Sequence, residues 1–253
     1  MNRWQAEDLA LVFLTCRRNP AYFPITLASA LLADPLTARL REVAVEVDAP
    51  NLDCVAPLQG HAQVRWRART DEVSAQVAAF SLHRRACHAY WRALGLASPD
   101  ARAVILCEDD VIFRDGWLGM LLECLNEMRA VGLEEFHIAA YSAYDHDHAP
   151  LRRGCFYSSY PAHDFYGTQA MLYPADEVAP VRDLIWRHGI ETHEEPYDLL
   201  VKRRAIARQH LYATRHSIAQ HIGACTTGLG GLHTSPSFHR RWPVVGEDGA
   251  PRL

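Results

Sequence analysis

The chain has 253 residues, 49% hydrophobic and 22% charged, with a net charge of −4. That composition can build a buried core, which excludes a disordered chain, and without a basic balance nucleic acid is not expected as the main partner. Seven cysteines, an odd number, are widely spaced with no C-x-x-C, which argues against a disulfide framework or a zinc ribbon.

In chain order, "LALVFLTC" (Leu9–Cys16) is a continuous apolar run, the pattern of a strand buried on both faces. Pro24 opens "PITLASALLAD", a helix with proline in its first turn. "EVAVEV" (Glu42–Val47) alternates as a second strand, and Asp48 to Thr70 reads as a long loop. From Asp71, the residues Val73, Val77, Phe80, Cys87, Trp91 and Leu94 recur at helical spacing and predict one long amphipathic helix ending near Gly95. "AVILC" is a third strand. After Gly116, Leu118, Leu121, Leu122, Leu125 and Met128 predict a helix closed by Gly132. "FHIAA" (Phe136–Ala140) is a fourth strand. This alternation implies crossover connections and a mostly parallel sheet.

The second half is less regular. Tyr141–His163 reads as a polar loop and Phe165–Tyr173 as a strand. Val178, Val181, Leu184 and Ile185 line a helix, and another begins after Pro196. Beyond Leu211 the chain is rich in Gly, Ser, Thr and His. Cys107 and Cys124 fall inside apolar patterns as core thiols. No apolar run approaches the roughly 20 residues needed to span a bilayer, and the N-terminal run has the wrong flanks for a signal peptide. The expected location is the cytoplasm, which leaves room for peripheral contact with the inner face of a membrane.

The third strand ends in Glu108, Asp109 and Asp110, followed by "VIF". At about 4 Å and an effective dielectric near 20, two neighbouring carboxylates repel by roughly 4 kcal/mol. A divalent cation between them and a ligand would offset that cost. In an open parallel sheet, ligands sit outside the carboxyl ends of the strands, where these acids are. Hard oxygen donors suit Mn²⁺ or Mg²⁺ with positions left open for phosphates. The alternative is a solvated acidic turn in which Asp110 caps the following segment.

"ILCEDDVIF" resembles the acidic metal motif of GT-A nucleotide-sugar glycosyltransferases. The form "EDDV" after an apolar strand is similar to the bacterial lipopolysaccharide-biosynthesis glycosyltransferases and to the N-acetylglucosaminyltransferase IV-like enzymes. Further resemblances follow in the family's order: "AFSLHRRACHAYWRALG" before the motif, "YGTQAMLYP" (Tyr166–Pro174), "EPYDLLV" with "PYD" where the family has "PVD", and "HSIAQHIG" (His216–Gly223). The stretch "GACTTGLGGLHTSPSF" matches neither group.

The resemblance implies an α/β fold, a single GT-A-like (Rossmann-like) domain with a mostly parallel central sheet. Its nucleotide-binding half would span 1–140, its acceptor and catalytic half 141–235, and a tail 236–253. It implies Mn²⁺ or Mg²⁺ as cofactor, with Asp110 as direct ligand, Glu108 reaching the metal or the ribose through water, and His221 completing the metal shell. Asp109 would contact ribose or donor sugar. Thr15, Cys16 and Arg17 would lie under the nucleotide, and Tyr166, Gly167, Thr168 and Gln169 would line the sugar pocket. One of Arg84 and Arg85 would touch the nucleotide. Arg240, Arg241 and Trp242 would close over the diphosphate. Asp198 resembles the base of an inverting transfer, with Glu194 and Glu195 in reserve; it also reads as a first-turn helix acid. The implied substrates are a nucleotide sugar, UDP-linked, and a glycan or glycolipid hydroxyl.

"YDHDHA" (Tyr144–Ala149) has metal-binding residue types, but adjacent loop residues seldom converge on one ion without a rigid scaffold. No G-x-x-x-x-G-K-[ST] or G-x-S-x-G is present. Two other readings of the same acids stay open: a non-catalytic nucleotide-sugar or glycan-binding module, and a metal-dependent phosphoesterase or nucleotidyltransferase.

Overall fold

The computed structural model describes residues 3–143, 156–161, 165, 168–192, 195–208, 210–223 and 233–239, with the backbone at 244–245 and 251–252. Strand β1 (Leu9–Cys16) leads into helix α1 (Phe23–Leu32), with Pro24 in its first turn. Then come β2 (Glu42–Asp48), β3 (Val64–Ala68), α2 (Asp71–Ala78) and α3 (Leu82–Leu94). β4 (Ala103–Glu108) ends at the acids, and β5 (Val111–Phe113) follows at once. The rest is α4 (Trp117–Ala130), β6 (His137–Ala139), β7 (Tyr157–Ser159), β8 (Ala170–Pro174), α5 (Ala175–Leu184), α6 (Tyr197–Arg208), β9 (Leu211–Thr214) and β10 (Ala219–His221).

Eight of these strands form one sheet in the order β3-β2-β1-β4-β8-β6-β9-β7. Six run one way, while β8 is antiparallel to β4 and β6 and β7 is antiparallel to β9. The expectation of a mostly parallel α/β sheet holds. The strand period of two divides β1 and β4 between two cores. Leu9, Leu11, Phe13, Ala103, Ile105 and Cys107 face α1 and α4. Val12, Val104 and Leu106 face α3, α5 and α6. Burial on both faces is why these strands read as unbroken apolar runs.

Several expectations need correction. Asp48–Thr70 is not all loop: "VRWRA" is the edge strand β3, with Val64 and Trp66 turned to the core and Arg65 paired to Glu42 at 2.8 Å. Two arginines in the alternation disguise an edge strand as polar loop. The long helix from Asp71 breaks in two, because Ser81 caps a new helix by accepting the Arg84 amide at 3.3 Å, as Thr70 caps α2. The segment Tyr141–His163 contains β7, and of the strand expected at Phe165–Tyr173 the described residues form β8 at Ala170–Pro174. The region beyond Leu211 carries β9 and β10.

Gly116 (φ +70°) and Gly132 (φ +77°) open and close α4 in the left-handed region, where glycine is strain-free. Cys107 and Cys124 are fully buried, and the five described cysteines are free thiols. Among the described residues, no helix is long and apolar enough to cross a membrane.

Candidate functional site

The parallel strands β1, β2 and β4 end side by side, with Cys16 opposite Asp48 and Leu14 opposite Glu108. A cleft of about 630 Å³ opens over these ends. Thr15, Arg17, Glu108, Asp109, Asp110, Thr168, Gln169, Asp198 and His221 all line it, although they span more than 200 positions of sequence. The convergence has a clear origin. β5 turns back from the acids and pairs antiparallel with β10, setting His221 opposite Val111. The Ile222 amide then donates to the Asp110 carbonyl at 2.7 Å. β8 runs beside β4, and the Glu108 amide donates to the Gln169 carbonyl at 2.8 Å. The first turn of α6 brings Tyr197 and Asp198 to the rim.

The three acids have different environments. Glu108 Oε1 accepts from the Tyr197 hydroxyl at 3.0 Å and the Thr168 hydroxyl at 3.3 Å. Burial, reinforced by Asp110, pushes its pKa up to about 7 against the Tyr197 bond. Behind it, Tyr197 stacks on Tyr90 with ring centroids 4.4 Å apart, and Tyr90 shares a 2.7 Å hydrogen bond with Tyr173.

Asp109 is tied to β1. Its Oδ2 accepts from the Thr15 hydroxyl at 2.8 Å and the Cys16 amide at 3.4 Å, and its carbonyl accepts from Thr26 at 2.7 Å. Burial raises its pKa to about 6, against the pull of Arg18. Asp110 behaves oppositely: burial is outweighed by His221 and Arg18, which hold its carboxyl below the usual range. His221 Nε2 lies 3.2 Å from Asp110 Oδ2, and Asp110 raises the imidazole pKa despite burial. Arg18 Nη2 bridges both acids, 2.7 Å from Asp109 Oδ1 and 2.9 Å from Asp110 Oδ2.

Among the described residues, no three His, Cys, Asp or Glu side chains converge into a metal cage. Asp110 and His221 do converge, while the Glu108 carboxylate turns toward Tyr197 and Thr168. Two features of the pair suit a cation. Asp110 Oδ1 is buried without a hydrogen-bond partner. A side chain at Gly223 would run into Asp110 Oδ2 and come within 2.8 Å of His221 Nε2, so glycine keeps that space open. The carboxylate oxygen suits Mn²⁺ or Mg²⁺, and Mg²⁺ is commonly held by one or two carboxylates with substrate phosphate and water filling the remainder.

Asp198 lines the cleft from the first turn of α6, with its Oδ1 accepting from the Leu199 amide at 2.9 Å. Glu195 is engaged by Arg203 at 2.9 Å. Of Arg84 and Arg85 on α3, Arg85 lines the cleft and Arg84 lies over the Phe80 ring at 3.8 Å. Burial raises the Cys16 thiol to about 12, so the thiol at the cleft wall is inert. Tyr166, Gly167, Glu194, Arg240, Arg241, Trp242 and the Asp145–His148 cluster lie outside the described residues.

Sequence reasoning missed Arg18, Asp48 and Tyr197. Asp48 closes β2 at the cleft and pairs with Arg69 at 3.3 Å. Its signal was present in sequence: the acid that follows an alternating apolar strand. Arg18 had no signal beyond adjacency to Arg17.

No family model matches the chain, and no curated protein matches it. Among solved structures, it is similar to 4-diphosphocytidyl-2C-methyl-D-erythritol synthase from Anaerococcus prevotii, at 8% identity over 83% of this chain and 88% of that one, with a TM-score of 0.46. It is also similar to the apo-form glycosyltransferase GlyE of Streptococcus pneumoniae, at 12% identity over 80% of this chain, with a TM-score of 0.44. The chain spans 44% of the length of that second protein. Likeness this distant assigns no activity to this chain.

Proposed function

We propose that this chain is a metal-dependent glycosyltransferase. It moves a sugar from a nucleotide donor, UDP-linked, to a hydroxyl of a glycan or glycolipid, with inversion. The observation that carries the reading is the meeting of Asp110 and His221, beside Glu108 and Asp109, at the strand ends of the 630 Å³ cleft. Such a cleft takes a ligand the size of a sugar nucleotide, and the unpartnered Asp110 oxygen is the natural seat of a cation.

Mn²⁺ or Mg²⁺ held by Asp110 and His221 would supply positive charge to the diphosphate as it leaves. Arg17 and Arg85, which line the cleft, would hold the phosphates. Thr168 and Gln169 would border the donor sugar. Asp198 would take the proton of the acceptor hydroxyl as its oxygen bonds to the anomeric carbon. The bond from that carbon to the phosphate oxygen breaks, and the nucleoside diphosphate departs intact.

The test is a thermal-shift panel of UDP-, GDP- and CDP-sugars with MnCl₂, each repeated with chelator. A UDP-sugar is expected to raise the melting temperature only when Mn²⁺ is present, and Asp110→Ala is expected to abolish the shift. The reading fails if no sugar nucleotide stabilises the protein, or if Asp110→Ala responds as wild type does. Release of a nucleoside monophosphate would redirect it to phosphoesterase or nucleotidyltransferase chemistry.

A further inference from the structure

We propose that Arg18 is a diphosphate-binding residue whose guanidinium, when no ligand is bound, bridges Asp109 and Asp110 and covers the Asp110 oxygen that the divalent cation would take. The inference rests on the donor-site reading above and deepens it.

The Arg18 side chain is 11% exposed, and one nitrogen, Nη2, serves both carboxylates. That is the geometry of a point charge. An arginine committed to a carboxylate presents its fork and makes two parallel bonds. Here Nε and Nη2 are both buried without a well-formed hydrogen bond among the described residues, so Nη2 meets the acids as a close ion pair. The guanidinium therefore keeps donor capacity that the acids leave unused. An incoming anion with several oxygens can use it.

The same oxygen, Asp110 Oδ2, faces both Arg18 and His221. A cation seated on Asp110 and His221 would compete with Arg18 for that oxygen and repel its charge. Arg18 has room to yield. It lines the main cleft and also a side recess of about 190 Å³ bordered by Tyr22, Phe23, Pro24 and Cys54. The Tyr22 ring lies 4.6 Å from the guanidinium carbon and can carry it by cation–π attraction during a swing. Asp109 keeps its bonds to Thr15 and Cys16 throughout, so β1 and β4 stay joined when Arg18 leaves.

Two consequences follow, and they have opposite signs. Arg18 opposes the cation when no phosphate is present. Once displaced, it binds the diphosphate, so cation and diphosphate favour each other through it.

The test measures binding of MnCl₂ alone, inorganic pyrophosphate alone and the two together, by electron paramagnetic resonance of free Mn²⁺ and by calorimetry. Arg18→Gln is expected to bind Mn²⁺ alone about tenfold more tightly than wild type and pyrophosphate with Mn²⁺ about tenfold more weakly. Its melting temperature should fall without ligand and recover with Mn²⁺. Arg18→Lys, the conservative variant if Arg18→Gln does not fold, should show the same two changes at smaller size. The proposal is overturned if the variant binds Mn²⁺ no more tightly than wild type, or binds pyrophosphate with Mn²⁺ equally well. Wild type binding Mn²⁺, Asp110→Ala losing it, and both Arg18 variants matching wild type would sink Arg18 alone. Wild type binding no Mn²⁺ even with pyrophosphate present would sink the donor-site reading with it.

Discussion

Replacing Gly223 by alanine puts one methyl group into the space between Asp110 and His221. The new Cβ would overlap Asp110 Oδ2 and lie 2.8 Å from His221 Nε2 and 2.9 Å from Asp110 Cγ. Neither neighbour yields freely. Asp110 is held by Arg18 at 2.9 Å and His221 at 3.2 Å, and its carbonyl is fixed by Ile222 at 2.7 Å. To make room, Asp110 must rotate and lose at least one charge-assisted contact, or the β10 end must shift. Overpacking and a lost hydrogen bond to a charge together cost about 2–4 kcal/mol. For a chain of 253 residues that is a melting-temperature drop of roughly 5–15 °C. Because the methyl occupies the space beside the donor pair, the Mn²⁺-induced thermal shift should disappear as well. Two control variants separate the effects. At Gly189 an added Cβ meets Cys87 Sγ at 2.7 Å, so Gly189→Ala should lose stability but keep its Mn²⁺ shift. At Gly60 nothing lies within 4 Å, and Gly60→Ala should change neither. A Gly223→Ala protein that melts with wild type and still gains stability from Mn²⁺ would refute the idea that Asp110 and His221 converge to hold a cation.

Further outcomes are expected. Asp198→Asn should lower kcat by about 10²–10⁴-fold while leaving Mn²⁺-dependent binding of the donor unchanged, measured by single-turnover kinetics and calorimetry; full activity would exclude Asp198 as the base. Glu177 is 8% exposed, with Arg204 paired to it at 2.7 Å and His137 Nε2 at 3.2 Å. Led by the His137 bond, these partners hold its pKa down at about 2, from 4.5. A depressed carboxylate contributes stability above its unfolded value, here on the order of 3 kcal/mol, and that contribution is lost as pH falls from about 4.5 through about 2. Glu177→Gln should therefore be less stable than wild type in urea at pH 7, with the gap closing toward pH 2; a constant gap would show that the carboxylate charge is not its source. Leu106→Ala, at a fully buried position on β4, should cost about 2–5 kcal/mol without a change in Mn²⁺ affinity.

Much of the first half was legible in sequence because its signals are local. β1, β2 and β4 announce themselves by unbroken or alternating apolar residues, and α1 and α4 by helical spacing with Pro24 and Gly132 at their ends. The acids were legible as a site because carboxylates at a strand terminus conflict with the apolar pattern beside them. β3 failed the same reading because Arg65 and Arg67 hide the alternation of Val64 and Trp66, and an edge strand tolerates charge on its outer face. The break at Ser81 is hidden because the apolar periodicity runs on through it, and the cap forms only in the folded chain.

What the sequence determined by itself is therefore the strand that ends in three acids and the alternation that builds a sheet around it. Which groups meet those acids was decided only by tertiary structure. His221 reaches Asp110 because β10 pairs with β5 across more than a hundred residues, Tyr197 reaches Glu108 through the docking of α6, and Arg18 reaches both aspartates because β1 lies beside β4. Residue spacing along a chain encodes periodicity within one element, whereas such meetings depend on the register and order of strands in the folded sheet, which no local pattern carries.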